Sequence, residues 1–346
     1  MIIFFLSVLV AFLIVVNILG STLSGPRYSG PVSDHFNGHR FVNPGGIQAK
    51  GLMDALKWFS TRKKIAWREL ENAPFGEKPE TQIEKGVKIT FVNHSTFLIQ
   101  TEGLNILTDP IWSERASPFS FMGPKRMRPP GLDLNDLPPI HVVLISHNHY
   151  DHLDIDTLKK IVKAHRPKIF TPLGVKAFLD KKGIAVTKDM DWWNEYSLND
   201  RLKIIATPAQ HFSSRGTNDR DGSLWCGYMI KRNEGNIYFV GDTGYNDAIF
   251  KNIGEKFSPI QLAMIPIGAY KPQWFMSPIH CSPEEAVRIH LELRSKKSIA
   301  AHFGTFPLAD EGQEQPLQDL KQALMQNNLG TEDFIALKEG QGRLFL

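Results

Sequence analysis

The 346-residue sequence has only two cysteines, Cys226 and Cys281, which is too few for a disulfide framework. The fold therefore cannot depend on disulfide bonds in any compartment. A strong excess of one charge is also missing, since 40 Lys and Arg residues stand against 36 Asp and Glu, for a net charge of +4. Because the chain shows neither a strong basic stripe nor an added nucleic-acid module, we expect no nucleic acid partner.

Long apolar runs are absent except at the amino terminus, where residues 2–19 contain no charged side chain. These 18 residues just reach the length that crosses the hydrocarbon core of a bilayer as a helix. No Lys or Arg precedes the run, and Gly20-Ser21-Thr22 matches a signal-peptidase site poorly. The sequence favours an uncleaved membrane anchor in residues 1–24 over a cleaved signal segment, and the side of the membrane stays open.

Residues 25–86 are predicted to form a linker followed by an amphipathic helix. Gly, Pro, Ser and Asn are frequent up to residue 50, as in an extended segment on a domain surface. From Leu52 to Leu70, apolar residues recur at helical spacing, and Lys and Arg lie on the opposite faces. Such a basic helix either docks on the core or contacts a membrane surface, and both alternatives stay open.

Residues 87–346 are predicted to form one α/β domain. Segments 87–92 and 97–100 have the composition of paired strands, and short apolar strands alternate with helices after residue 140. Ser282-Pro283-Glu284-Glu285 predicts a helix start with a capping box. Strand clusters on both sides of a central helical stretch predict two sheets sandwiched by helices.

A dense group of metal-ligand side chains follows the apolar strand that ends at Ser146, where residues 147–152 are His-Asn-His-Tyr-Asp-His. Burying so many imidazoles and a carboxylate without partners would be costly, so packing alone does not explain the segment. These ligand types suit zinc, and also iron or manganese. Two tetrahedral sites need more ligands, and the chain supplies them after three later strands, at His211, Asp242 and His302.

The ligands divide into two sets if Asp242 uses its two carboxylate oxygens to bridge two ions. A water shared by two cations has a pKa of about 7, which makes hydroxide available at neutral pH without a separate strong base. The predicted sets are His147, His149, His211 and Asp242 for one ion, and Asp151, His152, His302 and Asp242 for the other.

The sequence resembles the metallo-β-lactamase superfamily, whose His-x-His-x-Asp-His signature stands at residues 147–152. Zinc β-lactamases have a cysteine ligand where this chain has Asp242, which disfavours antibiotic hydrolysis. The segments that surround the ligands are similar to the N-acyl-phosphatidylethanolamine phospholipase D family and its bacterial relatives; they comprise residues 146–154, 241–245, 278–287 and 302–306. This resemblance implies a four-layer αββα sandwich with two zinc ions.

The resemblance also implies an activity, which is hydrolysis of N-acyl-phosphatidylethanolamine to phosphatidic acid and N-acylethanolamine at a membrane. His280 matches a family histidine near the substrate phosphate. The candidate catalytic residues are Asp151 and His280. A lactonase, thioesterase or nuclease on the same scaffold uses the same ligands, and a non-catalytic membrane-tethered protein is a further alternative. A homodimer is left open.

Two sets of residues are predicted to have lesser roles. The Lys125-Arg126 pair lies in a segment, residues 110–139, that contains seven prolines, and this pair either meets a lipid headgroup or is simply solvated. The other histidines lack a comparable context and are predicted to be structural or surface residues: His35, His39, His94, His141, His165 and His290.

Overall fold

The computed structural model describes residues 14–346, and residues 2–13 of the apolar run lie outside the described residues. The chain is helical from residue 14 to residue 23 and then largely irregular up to residue 51, apart from a 3-10 turn at Pro44–Gly46. Across residues 14–346, every helix is too short or too polar to cross a bilayer.

The first sheet combines the strands before residue 191 with the last strand of the chain. Within the described residues it contains β1 (Val87–Asn93), β2 (Thr96–Thr101), β3 (Leu104–Thr108), β4 (Val142–Leu144), β5 (Lys168–Pro172), β6 (Lys188–Met190) and β14 (Gly342–Phe345). Their order is β14-β1-β2-β3-β4-β5-β6. Pairing is antiparallel from β14 to β3 and parallel from β3 to β6.

The second sheet repeats this arrangement with the later strands. In the described part of the chain it contains β7 (Glu195–Ser197), β8 (Leu202–Thr207), β9 (Gly227–Arg232), β10 (Asn236–Phe239), β11 (Ile260–Pro266), β12 (Ser295–Ala301) and β13 (Phe334–Ile335). Their order is β13-β12-β11-β10-β9-β8-β7. Here too an antiparallel half, β7 to β10, is joined to a parallel half, β10 to β13.

Side-chain alternation along the strands separates the apolar residues into an inner and an outer layer. Ile89 and Phe91 of β1 belong to the same cluster as Met229 of β9, so this cluster fills the space between the two sheets. Val92 and Leu98 point the other way, into a separate cluster on the outer face of the first sheet. Both faces of the first sheet are therefore covered, as expected for strands with near-continuous apolar sequence.

Helices cover the outer faces of both sheets. Besides the segment at residues 14–23, the α-helices are α1 (Leu52–Thr61), α2 (Ile155–His165), α3 (Val175–Lys181), α4 (Asp247–Phe257), α5 (Gln273–Met276), α6 (Pro283–Glu292) and α7 (Gln315–Gln326). Leu158 of α2 and Phe178 of α3 complete the outer cluster of the first sheet. On the second sheet, α6 packs on β11 and β12 and also against α4 and α7. The four-layer αββα sandwich is confirmed.

The capped start of α6 is also confirmed. The Oγ atom of Ser282 accepts from the Glu285 backbone N–H at 3.2 Å, and the Glu285 carboxylate accepts from the Ser282 N–H at 2.8 Å. Pro283 occupies the first helical position, where its missing N–H leaves no hydrogen bond unmade. This start fixes where the chain leaves the 277–281 segment, which carries His280.

The prediction of a helix from Leu52 to Leu70 is wrong in its second half, because α1 ends at Thr61. Arg62 continues in extended backbone with ψ 138°, and its Nε donates to Oδ1 of Asp310 at 3.0 Å. Trp67 then donates from Nε1 to the Glu311 carbonyl oxygen at 3.0 Å. These bonds hold the segment along the domain surface in an extended path that a continuing helix could not follow.

The apolar side of α1 faces solvent. Leu52, Met53 and Phe59 are 75%, 76% and 60% exposed, whereas Trp58 on the other side is only 7% exposed. The Trp58 ring stacks on Phe275 of α5 with ring centroids 4.9 Å apart. Trp58 is therefore the buried side chain that attaches the helix to the domain, and most of the apolar surface of the helix is uncovered.

Two aromatic side chains from the irregular segment before α1 enter the core between the sheets. Phe36 and Phe41 are 1% and 2% exposed and lie in the inter-sheet cluster. Beside them, the Nε2 atom of His35 lies 2.7 Å from Oδ1 of Asp191, and its ring stacks on Trp192 with centroids 4.3 Å apart. The segment is thus packed into the domain as well as passing over it.

Candidate metal centre

The histidine-rich segment occupies the loop between β4 and α2. Its length is set by the strand end at Leu144 and by the helix start, where the Asp154 carboxylate caps α2 by accepting from the N–H groups of Asp156 and Thr157. Only residues 145–153 remain to connect these two points, so the candidate ligands of this segment are confined to the edge of the first sheet.

Three imidazoles form the first cluster of ligand atoms. The Nε2 atom of His147 lies 2.8 Å from Nδ1 of His149, and Nδ1 of His149 lies 3.3 Å from Nε2 of His211. His211 follows β8, so the second sheet contributes a side chain to a cluster that begins on the first sheet. The three ligand atoms lie close enough together to hold one metal ion.

The second cluster lies next to the first and contains Asp151, His152 and His302. Oδ2 of Asp151 lies 3.3 Å from Nε2 of His152 and 3.5 Å from Nε2 of His302. His302 follows β12 directly and has a left-handed backbone, with φ 59°, which turns the chain at the strand end and directs the imidazole toward the first sheet. The structure therefore brings together the three predicted residues of the second ion.

Asp242 lies between the two clusters. Its Oδ2 atom is 3.0 Å from Nε2 of His302 and 3.2 Å from Nε2 of His152, and it is 3.8 Å from Nε2 of His211 in the first cluster. The side chain is 1% exposed, and neither carboxylate oxygen has a hydrogen-bond partner among the described residues. This position is the one that a carboxylate shared by two ions would require.

The centre opens to solvent on one side. The side chains of Asp151 and His280 are 14% and 12% exposed, whereas those of His152, His211 and His302 are at most 1% exposed. Nδ1 of His280 lies 3.8 Å from Oδ2 of Asp242, so the structure places His280 at the rim of the centre. A substrate that approaches the ligand atoms from this side meets Asp151 and His280 first.

Burial keeps the first cluster uncharged. It lowers the pKa of His147 well below the ordinary value, that of His149 to about 4 and that of His211 to about 3. Three neutral imidazoles present three lone pairs, because each has one nitrogen without a proton. This protonation state is the one in which histidine binds metal ions.

The second cluster is charged because carboxylates and imidazoles face each other there. Burial opposes a charge on His302, but Asp242 and Asp151 outweigh it and raise the pKa of His302 to about 9. Burial likewise opposes ionisation of Asp242, yet the neighbouring imidazoles hold its pKa well below the ordinary value. Positive charge is therefore strongly favoured between these carboxylates, and divalent cations would supply it.

The donor set fits metal ions on three counts. It consists of imidazole nitrogens and carboxylate oxygens, which zinc accepts. Ligand atoms about 2 Å from a tetrahedral zinc ion lie about 3.3 Å apart, close to the separations found in both clusters. Within residues 14–346, several buried polar atoms at the centre lack any hydrogen-bond partner: Nε2 of His152, Nε2 of His302 and both carboxylate oxygens of Asp242.

Hydrogen bonds on the far side orient two of the imidazoles. Nδ1 of His211 donates to the Ile279 carbonyl oxygen at 2.8 Å, which leaves Nε2 free to face the centre. Nδ1 of His152 lies 2.7 Å from Oδ2 of Asp109, a fully buried carboxylate at the end of β3. Asp109 is not among the residues predicted from the sequence, although it follows an apolar strand directly, as His302 does.

His94, predicted from the sequence to be a structural or surface residue, also lies at the centre. It occupies the turn between β1 and β2, is 1% exposed, and places Nε2 at 2.9 Å from Oδ2 of Asp151. With Asp151, His152 and His302 it forms a group of four ligand atoms that lie close together. The signal in the sequence is its position directly after a buried strand.

The Lys125-Arg126 pair is engaged within the protein. Lys125 forms a salt bridge with Glu69, and Arg126 is 7% exposed and stacks over the Phe306 ring at 5.3 Å. Neither side chain is free for a headgroup in this conformation. The remaining histidines lie away from the centre, at His35, His39, His141, His165 and His290.

Comparison with known proteins identifies the family. Residues 104–303 match the family described as beta-lactamase superfamily domain. The chain belongs to the beta-lactamase superfamily. Within this superfamily it is 40% identical over 269 residues to N-acyl-phosphatidylethanolamine-hydrolyzing phospholipase D 1 of Caenorhabditis elegans, an alignment that covers 75% of this chain and 76% of the nematode protein.

Two further proteins extend the comparison. The chain is 32% identical to a UPF0173 metal-dependent hydrolase of Pyrobaculum islandicum, across 66% of this chain and 89% of the archaeal protein. The structure of Igni18, a metallo hydrolase of Ignicoccus hospitalis, has the same fold, with a TM-score of 0.58 and 23% identity across 76% of this chain and 99% of Igni18. The chain is a metal-dependent hydrolase with the metallo-β-lactamase fold.

Proposed function

We propose that this chain is a binuclear zinc phosphodiesterase of phospholipase D type, which hydrolyses N-acyl-phosphatidylethanolamine or a related lipid to phosphatidic acid and an N-acylethanolamine. The observation that carries the proposal is the similarity to the nematode phospholipase D over three quarters of the chain. The six other predicted ligands gathered around Asp242 support it, because hydrolysis of an anionic phosphodiester needs strong positive charge at the reacting group.

Zinc ions at this centre would be held by His147, His149 and His211 on one side, by Asp151, His152 and His302 on the other, and by Asp242 between them. Two such ions neutralise charge on the phosphate oxygens and lower the pKa of a bound water. The contribution of the protein is a rigid, largely buried frame, since ligands from both sheets are fixed by strand ends and by hydrogen bonds on the far side.

Hydrolysis forms a bond between a water oxygen and phosphorus, and it breaks the bond between phosphorus and the ethanolamine oxygen. That oxygen is a poor leaving group and must gain a proton as it departs. Burial lowers the pKa of His280 to about 3, so its imidazole is neutral at pH 7. Its single N–H suits it to donate a hydrogen bond to a phosphate oxygen, so the leaving proton comes from another source, such as water.

The membrane surface is the proposed partner, and α1 is the proposed contact. Its apolar side, with Leu52, Met53 and Phe59, is exposed, and Lys57 reaches over the ring of Trp274 at 5.0 Å. Exposed apolar and basic side chains on one helix suit an interface with anionic headgroups. α1 packs on α5, and the backbone N–H of His280 donates to the Met276 carbonyl oxygen of α5 at 2.9 Å. The exposed apolar side of α1 therefore adjoins the rim of the metal centre.

A substrate panel tests the proposal. Purified full-length protein, loaded with zinc, would be assayed with N-acyl-phosphatidylethanolamine in mixed micelles, a soluble aryl phosphodiester, a lactone and a β-lactam. We expect phosphatidic acid and N-acylethanolamine from the lipid, and incorporation of one ¹⁸O atom from labelled water into phosphatidic acid. Chelator-treated protein, assayed before and after zinc is restored, is the control for contaminating lipases.

The panel also separates the alternatives. Release of diacylglycerol in place of phosphatidic acid would mean that the other phosphodiester bond is cut. Efficient lactone or β-lactam turnover without cleavage of either phosphodiester would overturn the proposal. A protein that binds two zinc ions but hydrolyses none of the four substrates would also contradict the proposal.

A further inference from the structure

His94 is a histidine at the metal centre that lies outside the His-x-His-x-Asp-His segment and outside the three later ligands. It stands in the turn between β1 and β2, where the paired residues Asn93 and Thr96 leave only His94 and Ser95 to reverse the chain. Its Nε2 atom lies 2.9 Å from Oδ2 of Asp151, which is shorter than the distance from that oxygen to His152 or to His302.

The backbone at His94 has an uncommon conformation. Its φ of 48° lies in the left-handed region, which few residues other than glycine adopt. The His94 N–H donates to Oγ1 of Thr305 at 3.0 Å, and its carbonyl oxygen accepts from the His302 N–H at 2.7 Å. The turn on the first sheet is thus bonded to the segment that carries His302 on the second sheet.

The side chain is held as firmly as the backbone. The His94 ring lies 3.9 Å from the His302 ring and meets the Phe306 ring edge-on, with centroids 5.3 Å apart. A carboxylate can only accept, so the contact with Asp151 requires the His94 proton to be on Nε2. His94 is therefore a fixed donor aimed at Asp151.

Asp151 needs such a donor. It is the most exposed residue of the second cluster, and its flanking residue Tyr150 directs its own hydroxyl away, to the Arg215 carbonyl oxygen at 3.0 Å. Carboxylates that bind metal ions are commonly held by a hydrogen bond from outside the ligand set. Among the described residues, His94 makes the shortest contact with the Asp151 carboxylate.

We propose that His94 is a positioning residue of the metal centre, whose Nε2–H group holds the carboxylate of Asp151 in place for the divalent cation that Asp151 shares with His152 and His302. His94 acts through Asp151 and is not itself a ligand. The inference rests on the binuclear centre and not on the substrate, so every measurement below uses metal binding alone and stays valid whatever lipid the enzyme cleaves.

The test compares His94→Ala and His94→Gln with wild type. Alanine removes the donor, whereas the glutamine amide can place an N–H near the position of Nε2. His290→Gln is the matched control, since His290 is also buried and also makes one side-chain hydrogen bond, to Ser298 at 2.8 Å, but lies on α6 away from the centre. Zinc and cobalt affinities would be measured for each equivalent by chelator competition, and visible spectra would be recorded for the cobalt-loaded proteins.

We expect His94→Ala to bind its first equivalent as wild type does and its second about 10- to 100-fold more weakly, which is the usual effect of losing a group that orients a ligand. His94→Gln should lie within a few-fold of wild type, and His290→Gln should match it. Once saturated, the cobalt spectrum of His94→Ala should keep the wild-type band intensities, because no ligand is lost.

Three results would overturn the proposal. One is that His94→Ala binds its second equivalent of metal as tightly as wild type does. Another is a saturated cobalt spectrum that shows the loss of one imidazole, which would make His94 a ligand. The third result applies if His94→Ala does not fold, so that only His94→Gln can be measured. If His94→Gln then binds its second equivalent of metal more than about tenfold more weakly than wild type does, the donor role is contradicted.

Discussion

The Oδ2 atom of Asp109 lies 2.7 Å from Nδ1 of His152, and both side chains are fully buried. The contact fixes the tautomer of His152, because the carboxylate accepts a hydrogen bond from Nδ1–H, which leaves Nε2 facing Asp242. Asp109 is held in turn by Ser146, whose N–H and Oγ–H donate to its two oxygens at 2.7 and 2.6 Å. The end of β3 thus orients a ligand that stands more than forty residues later in the chain.

Asp109→Asn should lower metal affinity or turnover by about 10- to 100-fold, because an amide can turn its NH₂ group toward His152 and no longer selects the required tautomer. Chelator competition and phosphodiester hydrolysis would be measured on the same preparation. Asp189→Asn is the control, since Asp189 is a partly buried carboxylate that accepts hydrogen bonds from Thr171 and Gly174 outside the centre. Equal losses of metal affinity in both variants would show a general effect on folding instead.

Asp242→Asn should lose at least one equivalent of metal and reduce turnover at least about 100-fold, because it removes the carboxylate that lies between the two clusters. Elemental analysis after gel filtration would count the bound metal. Asp247→Asn, an exposed position five residues later at the start of α4, should change neither quantity. Two full equivalents and near-normal turnover in Asp242→Asn would mean that the shared-ligand assignment is wrong.

The position of most ligands could be predicted because each follows a short apolar strand, and strand ends of a two-sheet sandwich meet at one edge. His211, Asp242 and His302 fit this rule, and the structure places all three at the centre. His94 and Asp109 obey the same rule but precede the His-x-His-x-Asp-His segment, and further ligands were predicted only after that segment. The role of His94 depends on a contact with Asp151, 57 residues later, and the role of Asp109 on a contact with His152, 43 residues later. No local sequence pattern encodes such contacts.

The end of α1 could not be predicted for a related reason. The apolar spacing from Leu52 to Leu70 is helical, but in the structure Arg62 and Trp67 bond to Asp310 and Glu311 from an extended segment. Tertiary contacts override local propensity in such segments. Helix periodicity also indicated an apolar face without showing whether that face is buried, and in the structure Leu52 is exposed.

The stability of the irregular segment before α1 should depend on pH through His35. Burial opposes a charge on His35, but the carboxylates of Asp191 and Asp34 outweigh it and raise its pKa above the ordinary 6.5. A group whose pKa rises on folding stabilises the folded state fully below its unfolded pKa and loses that effect as the pH rises through the folded pKa. The contribution should therefore be present at pH 5.5 and largely lost at high pH.

His35→Gln tests this expectation, because the amide can keep a donor near Asp191 while it removes the titrating charge. The free energy of unfolding in urea would be compared at pH 5.5 and pH 9. The wild-type advantage should be greater at pH 5.5, by up to about 1 kcal/mol for a pair of this kind. An advantage that is constant, or that grows toward pH 9, would show that His35 stabilises the segment by packing on Trp192 alone.

The proposed membrane contact can be divided into its two parts. Deleting residues 2–19 removes the apolar run but keeps the residues that bind the domain, since the Gly20 carbonyl oxygen accepts from Thr217 N–H at 3.3 Å and Ser21 accepts from Asn218 at 2.6 Å. In vesicle sedimentation the deleted chain should bind far more weakly than the full chain, because an uncharged run of this length buries much more apolar surface than a single acyl chain does.

The residual binding of that deleted chain should then depend on α1. Introducing Met53→Glu and Phe59→Glu together should reduce binding to anionic vesicles at least about tenfold, because each buried apolar side chain contributes about 1.5–3 kcal/mol. Both positions are exposed, so the fold should be retained, and hydrolysis of a soluble phosphodiester should not change. Met325→Glu is the matched control, since Met325 is 67% exposed on α7, a helix of the outer layer over the second sheet. If Met325→Glu weakens vesicle binding as much as the α1 pair does, added negative charge alone explains the loss, and α1 is not the surface that meets the bilayer.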